Sequence, residues 1–275
     1  MSPSTTEGPV SLIFQSIRSS SSGNCLLLRS DRTTLLIDCG IRTQRDCDAL
    51  IQKQLGGGDQ VDAVLVSHAH SDHIGYAALR SLGRHGVCVY SHEHVVRHIA
   101  DGFDVEEWLW QPVVRQFEGA SFSFGDLAIE TMDVPHAPEC PNVGFIIHYG
   151  SGADERKVVI CTDFFDDSGV RDRFLDADFI FVEANHDPEL LRRHPNYASR
   201  FHMSNPKTGE LLSDVVSRSR RRPKGVMLGH LSRQRNTEEL ALEAVRESFA
   251  RRGIAIDFDL SAAPKYHPSA PVAIQ

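Results

Sequence analysis

The run Ser67-His68-Ala69-His70-Ser71-Asp72-His73 constrains this 275-residue chain more than any other segment. It directly follows Val64-Leu65-Val66, a compact apolar stretch that reads as a buried strand. The run therefore occupies a strand-to-helix loop, where α/β folds place their sites. Four side chains able to bind a metal fall within six positions. Imidazole nitrogens and carboxylate oxygens suit zinc, and also manganese or iron. A polar loop that merely caps a helix through Asp72 has no need of three histidines so close together.

Short strands and helices alternate around this run. Strands are predicted at Val10–Ile17, Cys25–Leu28, Thr33–Ile37 and Ala63–Val66, with a helix over Thr43–Leu55 stopped by Gly56, Gly57 and Gly58. Helices follow at His73–Leu82 and His92–Ala100, and strands at Val87–Tyr90, Phe122–Phe124, Leu127–Met132 and Val143–His148. The second half repeats the style. It has strands at Lys157–Cys161, Phe179–Val182, Val226–Leu228 and Ile254–Phe258, and helices at Lys207–Ser217 and Thr237–Ala250. Two halves of this kind predict an αββα four-layer sandwich, with two sheets face to face and helices outside. Residues 10–262 are expected to form one domain. Residues 1–9 read as a disordered arm without signal-peptide character, and 263–275, with Pro264, Pro268 and Pro271, as an irregular tail.

Remote partners for the histidine run stand at other strand ends. His136 follows Met132-Asp133-Val134-Pro135, Asp163 follows Val158–Cys161 and Thr162, and His230 follows Val226-Met227-Leu228-Gly229. Together, His68-x-His70-x-Asp72-His73, His136, Asp163 and His230 resemble the five-motif signature of the metallo-β-lactamase fold. Ser20-Ser21-Ser22-Gly23-Asn24-Cys25, Leu36-Ile37-Asp38-Cys39-Gly40, Val182-Glu183-Ala184-Asn185-His186-Asp187 and Leu228-Gly229-His230-Leu231-Ser232 resemble its YycJ/WalJ branch.

That resemblance implies a bacterial phosphodiesterase or nuclease, specifically a 5′-to-3′ DNA exonuclease. His68, His70 and His136 would form one metal site. Asp72, His73 and His230 would form a second, with Asp163 bridging them. Two dications about 3.5–4 Å apart can hold a hydroxide nucleophile at neutral pH and clamp a phosphoryl oxygen. Zinc or manganese is expected, with iron also chemically suitable. Asp72 could also orient the nucleophile.

A leaving alkoxide needs a proton. Phe201-His202-Met203-Ser204-Asn205 resembles the histidine loop of related tRNA-processing phosphodiesterases, which makes His202 the candidate source. The family pattern more often has Gly and Leu where this chain has Phe201 and Met203. Glu183 is a candidate second carboxylate that fixes a ring tautomer. Ser22, Asn24, Asn185, Ser204, Asn205, Ser232 and Arg233 are expected to face substrate. His92, His94 and His98 read as surface histidines.

Composition limits the partners. The net charge of −8 excludes a protein that is basic all over, such as a histone-like DNA binder. Leu190–Arg235, however, carries eleven basic residues against Glu210 and Asp214, a local +9. This predicts a DNA partner gripped by its phosphates near the His202 and His230 loops. Arg218–Lys224 equally suits a helix terminus, whose dipole favours cations. No aromatic-interleaved platform for stacking bases is visible, so little sequence reading is expected. The six cysteines form no C-x-x-C pair and read as buried thiols of a cytoplasmic protein. No stretch reaches the length of a membrane span. Two other readings stay open: hydrolysis of a small thioester, lactone or cyclic phosphate on the same fold, and a non-catalytic regulatory metalloprotein.

Overall fold

A computed structural model describes residues 12–55, 60–102 and 114–275. The expected N-terminal arm and the three helix-stopping glycines lie outside the described residues. The first half contains β1 (Leu12–Ser20), β2 (Gly23–Arg29), β3 (Thr34–Ile37), α1 (Gln44–Leu55), β4 (Ala63–Val66), α2 (Tyr76–Arg84), β5 (Cys88–Ser91), α3 (Glu93–Gly102) and β6 (Val114–Gln116). The second contains β7 (Ser121–Phe124), β8 (Leu127–Val134), β9 (Asn142–Tyr149), β10 (Arg156–Cys161), β11 (Phe179–Glu183), α4 (Pro188–Arg193), α5 (Asn205–Arg218), β12 (Gly225–Gly229), α6 (Glu238–Arg251), β13 (Asp259–Ala262) and β14 (Val272–Ile274).

One sheet has the order β14-β1-β2-β3-β4-β5-β6, and the other β13-β12-β11-β10-β9-β8-β7. In each, the strands on one side pair antiparallel and those on the other pair parallel. Strands β3, β4, β11 and β12 are buried along their whole length, which is why they read as unbroken apolar runs. Between the sheets, Phe14, Leu28 and Leu35 meet Phe145, Phe179 and Phe181 in one apolar cluster. The Phe14 ring centroid lies 4.8 Å from that of Phe179. A second cluster joins the outer face of the first sheet to Ile51 of α1, Leu79 and Leu82 of α2 and Ile99 of α3. A third joins the other outer face to Leu211 and Val215 of α5 and Val245 and Phe249 of α6. These three cores make the four layers of an αββα sandwich.

Several local expectations change. Helix α2 starts at Tyr76, not His73, because His73 is tied into a turn: its N–H donates to His70 O (2.8 Å) and its carbonyl accepts from Cys39 N (2.7 Å). Ile254–Phe258 is not a strand. Ile254, Ile256 and Phe258 pack on the α5/α6 cluster, but the ladder with β12 begins only at Gly225 opposite Asp259. The alternation there reports a packed face without a partner strand. The tail after 262 is not irregular to its end, since β14 adds antiparallel to β1 with Leu12 opposite Ile274. Helix α4, capped by Asp187 accepting from Glu189 N and Leu190 N, was not anticipated.

Candidate metal centre

Loops at the carboxyl ends of five strands converge, as is usual for sites on α/β sheets. Residues 67–73 follow β4, His136 follows β8, Asp163 follows β10, Glu183 closes β11 and His230 follows β12. Asp38, Asp163 and His230 hold left-handed backbone, with φ of 59°, 60° and 51°. Such strain concentrates where side-chain direction matters more than backbone comfort. Close approach is also built in. A Cβ on Gly40 would lie 1.7 Å from the Asp72 carbonyl oxygen, so only glycine lets β3's end seat the Asp72 turn.

The ring orientations follow from outward hydrogen bonds. His73 Nδ1–H donates to Asp38 Oδ2 at 2.7 Å, and Ser67 N–H and hydroxyl hold that same carboxylate. His136 Nδ1–H donates to the Phe201 carbonyl at 3.1 Å. His230 Nδ1–H donates to Glu183 Oε1 at 2.9 Å. His68 Nδ1 lies 3.0 Å from Ser67 Oγ. Each outward bond leaves Nε2 as the inward, lone-pair-bearing atom, the arrangement that orients metal-binding histidines.

The inward atoms crowd together. His70 Nδ1 lies 3.1 Å from His68 Nε2 and 3.2 Å from His136 Nε2. Asp163 Oδ2 lies 3.1 Å from His73 Nε2, with the Glu183-bound His230 Nδ1 at the same distance behind it, and Asp72 Oδ2 lies 3.6 Å from the inward His230 Nε2. Ligand atoms of His68, His136 and Asp163 lie within 4.8 Å of one another, as do those of Asp72, His73 and His230. Cys140 forms a third such group with His68 and His70. Asp163 Oδ2 and His230 Nε2 are buried without any hydrogen-bond partner. Buried polar atoms without partners are costly, and inward lone pairs about 3 Å apart repel unless a cation joins them. The residues therefore fit divalent metal ions.

Charge follows the same geometry. Burial acts against charge on His230, but Asp163, Asp72 and Glu183 push its pKa up to about 10. His73 is likewise raised against burial by Asp163 and Asp38. Burial, with His73 and other neighbouring rings, lowers His68. Burial would raise Asp72, yet His230 and His73 hold it at about 2. Burial also acts to lower His202, but the Glu183 carboxylate 2.7 Å from its Nδ1 outweighs this and raises it.

All seven expected ligands, together with His202 and Glu183, meet in this centre. The expected substrate contacts divide. Asn24, Asn185 and Asn205 face inward: Asn24 Nδ2 lies 2.9 Å from His73 Nε2, Asn185 Nδ2 donates to the His230 carbonyl, and Asn205 pairs its amide with Asn236. These amides are buried and brace the loops around the centre. Ser22 bonds Ser20, and the Ser19 hydroxyl accepts from His230 N–H. Ser232 is buried, with Lys265 bonded to its carbonyl. Ser204 lines a cavity together with His186, His202 and Lys207, and Arg233 is exposed beyond β12. The sequence reading missed Asp38, Ser67 and Cys140. Asp38 was visible as a lone acid ending an apolar strand.

The basic segment is also redistributed. Arg218 pairs with Asp172 and Asp214, Arg221 with Asp178 and Arg222 with Asp257. These lie at the far end of α5, about 20 Å from its His202 end at 1.5 Å per residue. Arg192, Arg200 and Lys207 line cavities at the near end. An aromatic surface stands there as well. Tyr197 is 69% exposed, and the Arg200 guanidinium sits 3.5 Å over its ring and 4.4 Å from that of Phe201.

Comparison with known proteins agrees with this architecture. Residues 33–230 match the beta-lactamase superfamily domain. The chain is 30% identical to exodeoxyribonuclease WalJ of Streptococcus pneumoniae serotype 2, covering 89% of this chain and 91% of that one. It is 27% identical to exodeoxyribonuclease YycJ of Bacillus anthracis, covering 89% and 92%. Among solved structures it resembles the metallo-beta-lactamase fold protein YhfI of Bacillus subtilis, with a TM-score of 0.66 and 17% identity over 94% of this chain and 99% of that one. Among the described residues no helix is long and apolar enough to cross a membrane. The chain belongs to the metallo-β-lactamase superfamily, in its WalJ/YycJ-like branch, and is a metal-dependent hydrolase.

Proposed function

We propose that this chain is a dinuclear phosphodiester hydrolase acting as a 5′-to-3′ DNA exonuclease. The observation that carries the reading is the ring of inward imidazole nitrogens around the unpartnered Asp163 Oδ2, with His202 beside it. The exodeoxyribonucleases WalJ and YycJ, similar along nearly their whole length, support the substrate. His68, His70 and His136 would hold one ion, and Asp72, His73 and His230 the other, with Asp163 between them. Zinc or manganese suits this donor set. Bound divalent ions supply Lewis acidity and water of lowered pKa.

The remaining work falls to side chains. Glu183 accepts from His202 Nδ1–H, which points His202 Nε2 outward. The Glu183 carboxylate raises the His202 pKa and so favours the protonated ring, the form that can donate to the leaving oxygen of a phosphodiester. Asp72, ionised and partly exposed, orients the attacking water. Arg192, Arg200 and Lys207 draw the phosphate backbone to the mouth without reading bases. Six free cysteines suit a reducing, cytoplasmic setting.

The test is a substrate panel with the native metal restored: 5′-phosphorylated duplex DNA, bis-p-nitrophenyl phosphate and a small thioester. Stepwise release of nucleotides from the 5′ end is expected. Turnover of the thioester alone would refute the nuclease reading, and release from the 3′ end would refute its polarity.

A further inference from the structure

The surface beside the metal centre is not only basic. The 3₁₀ turn Tyr197–Phe201 projects from between α4 and α5, and its Tyr197 ring is 69% exposed. The Arg200 guanidinium lies 3.5 Å over that ring and 4.4 Å from the Phe201 ring, and the two rings meet edge to face with centroids 6.1 Å apart, so the three groups form a π-lined corner whose Tyr197 ring stands open to solvent. Phe201 anchors it to the site. Its carbonyl accepts from His136 Nδ1, its ring lies 6.4 Å from the His136 ring, and His202 is its neighbour in sequence. These groups and His70 line a cavity of about 530 Å³ together with Ala69, Ala137, Pro138, Cys140 and His98. That size falls within the range of small-ligand sites.

The chemistry of the cavity selects one kind of occupant. Apolar walls, aromatic faces and a guanidinium plane suit a flat heterocycle. Glu139 on the rim disfavours a phosphate there and can accept a hydrogen bond from an exocyclic amine. We propose that the Tyr197–Arg200–Phe201 surface and its cavity form a nucleobase subsite, stacking the base of a nucleotide adjoining the scissile phosphate. The proposal rests on the exonuclease reading and specifies how that site engages its substrate. Stacking accepts every base, so the subsite demands a base without choosing among them. An end whose base is splayed from its partner fits it, whereas a paired terminal base must first unstack.

The experiment uses the full, metal-loaded protein and single-stranded, phosphorothioate-protected DNA oligonucleotides with an internal dye. One carries all its bases, and the other carries abasic tetrahydrofuran units at both ends. Fluorescence anisotropy should show wild type binding the complete oligonucleotide about tenfold more tightly than the abasic one, the scale of a single stacked base. Tyr197→Ala and Arg200→Ala should bring that ratio close to one, and Tyr197→Trp should keep it. Tyr197 is exposed, so its loss leaves the core intact. Equal binding of both oligonucleotides by wild type, or full discrimination by Tyr197→Ala, overturns the subsite. Cleavage of the unprotected oligonucleotide is scored separately. Base discrimination in binding without cleavage removes the exonuclease reading and leaves the subsite standing, whereas cleavage without discrimination does the reverse.

Discussion

Replacing Glu183 by glutamine exchanges one oxygen for an NH2 group at a fully buried position. The Glu183 carboxylate accepts four hydrogens. His202 Nδ1 at 2.7 Å and His230 Nδ1 at 2.9 Å meet Oε1, while Phe164 N at 3.1 Å and Met203 N at 3.2 Å meet Oε2. A glutamine has one acceptor oxygen, so whichever way its amide turns, two donors face its NH2. Leaving a buried donor unsatisfied costs about 1–3 kcal/mol, which for two gives about 2–6 kcal/mol. At about 2–4 °C per kcal/mol for a chain of this size, Glu183→Gln should melt about 10 °C lower. Activity should fall about 10- to 100-fold, as when other groups that orient metal-bound histidines are removed. The pH profile carries an independent signature. Burial alone would lower the His202 pKa, and Glu183, with a smaller part from Asp163, raises it. The protonated ring therefore persists above its ordinary pKa and is lost as pH rises through the raised value. Without the carboxylate, the alkaline limb of kcat should move to lower pH. Calorimetry, metal analysis and a pH–rate profile on the same preparation decide the matter. A melting temperature within about 2 °C of wild type together with an unmoved limb would refute the assigned role.

Three further outcomes follow from the site. Gly40→Ala places a methyl 1.7 Å from the Asp72 carbonyl, so stability should drop by about 3 kcal/mol or more and metal content should fall; normal metal content by mass spectrometry would contradict the close packing. Chelation should abolish hydrolysis and lower the melting temperature, by about 2.7 kcal/mol of stability where free metal had stood at 100 times its Kd, and re-added zinc or manganese should restore both. Because Asp163, Asp72 and Glu183 hold the His230 pKa near 10, metal must displace a proton, and affinity should weaken as pH falls. A chelating dye should strip metal more readily at about pH 5 than at about pH 8, and equal retention would count against the donor assignment.

The histidines and aspartates that converge were legible because each stands just after a strand, so position and residue type spoke together. The layers were legible because β3, β4, β11 and β12 are buried on both faces. What lay hidden depended on partners distant in sequence. Asp38 acquires its meaning only from His73, 35 positions on. Asn24, Asn185 and Asn205 are polar residues in loops, and nothing local distinguishes an amide that braces a loop from one that meets substrate. Arg218, Arg221 and Arg222 look like free charge within their own segment because Asp172, Asp178 and Asp257 arrive from elsewhere. Ile254–Phe258 alternates as a strand does, but alternation cannot reveal that its neighbour begins only at Gly225. Arg200 is one of eleven basic residues in its segment, and only the turn sets it between the rings of Tyr197 and Phe201.

The left-handed backbone at Asp38, Asp163 and His230 bears on how alanine scanning of this centre should be interpreted. Asp and Asn tolerate that conformation, whereas for alanine it costs roughly 1–2 kcal/mol. An alanine at 163 would therefore remove a carboxylate and relax the loop that carries it, merging lost chemistry with a displaced chain. Asparagine at 38 or 163 alters charge while leaving the turn undisturbed, and glycine is the matching control at 230. Comparing each with its alanine counterpart separates what the side chain does from where the backbone puts it.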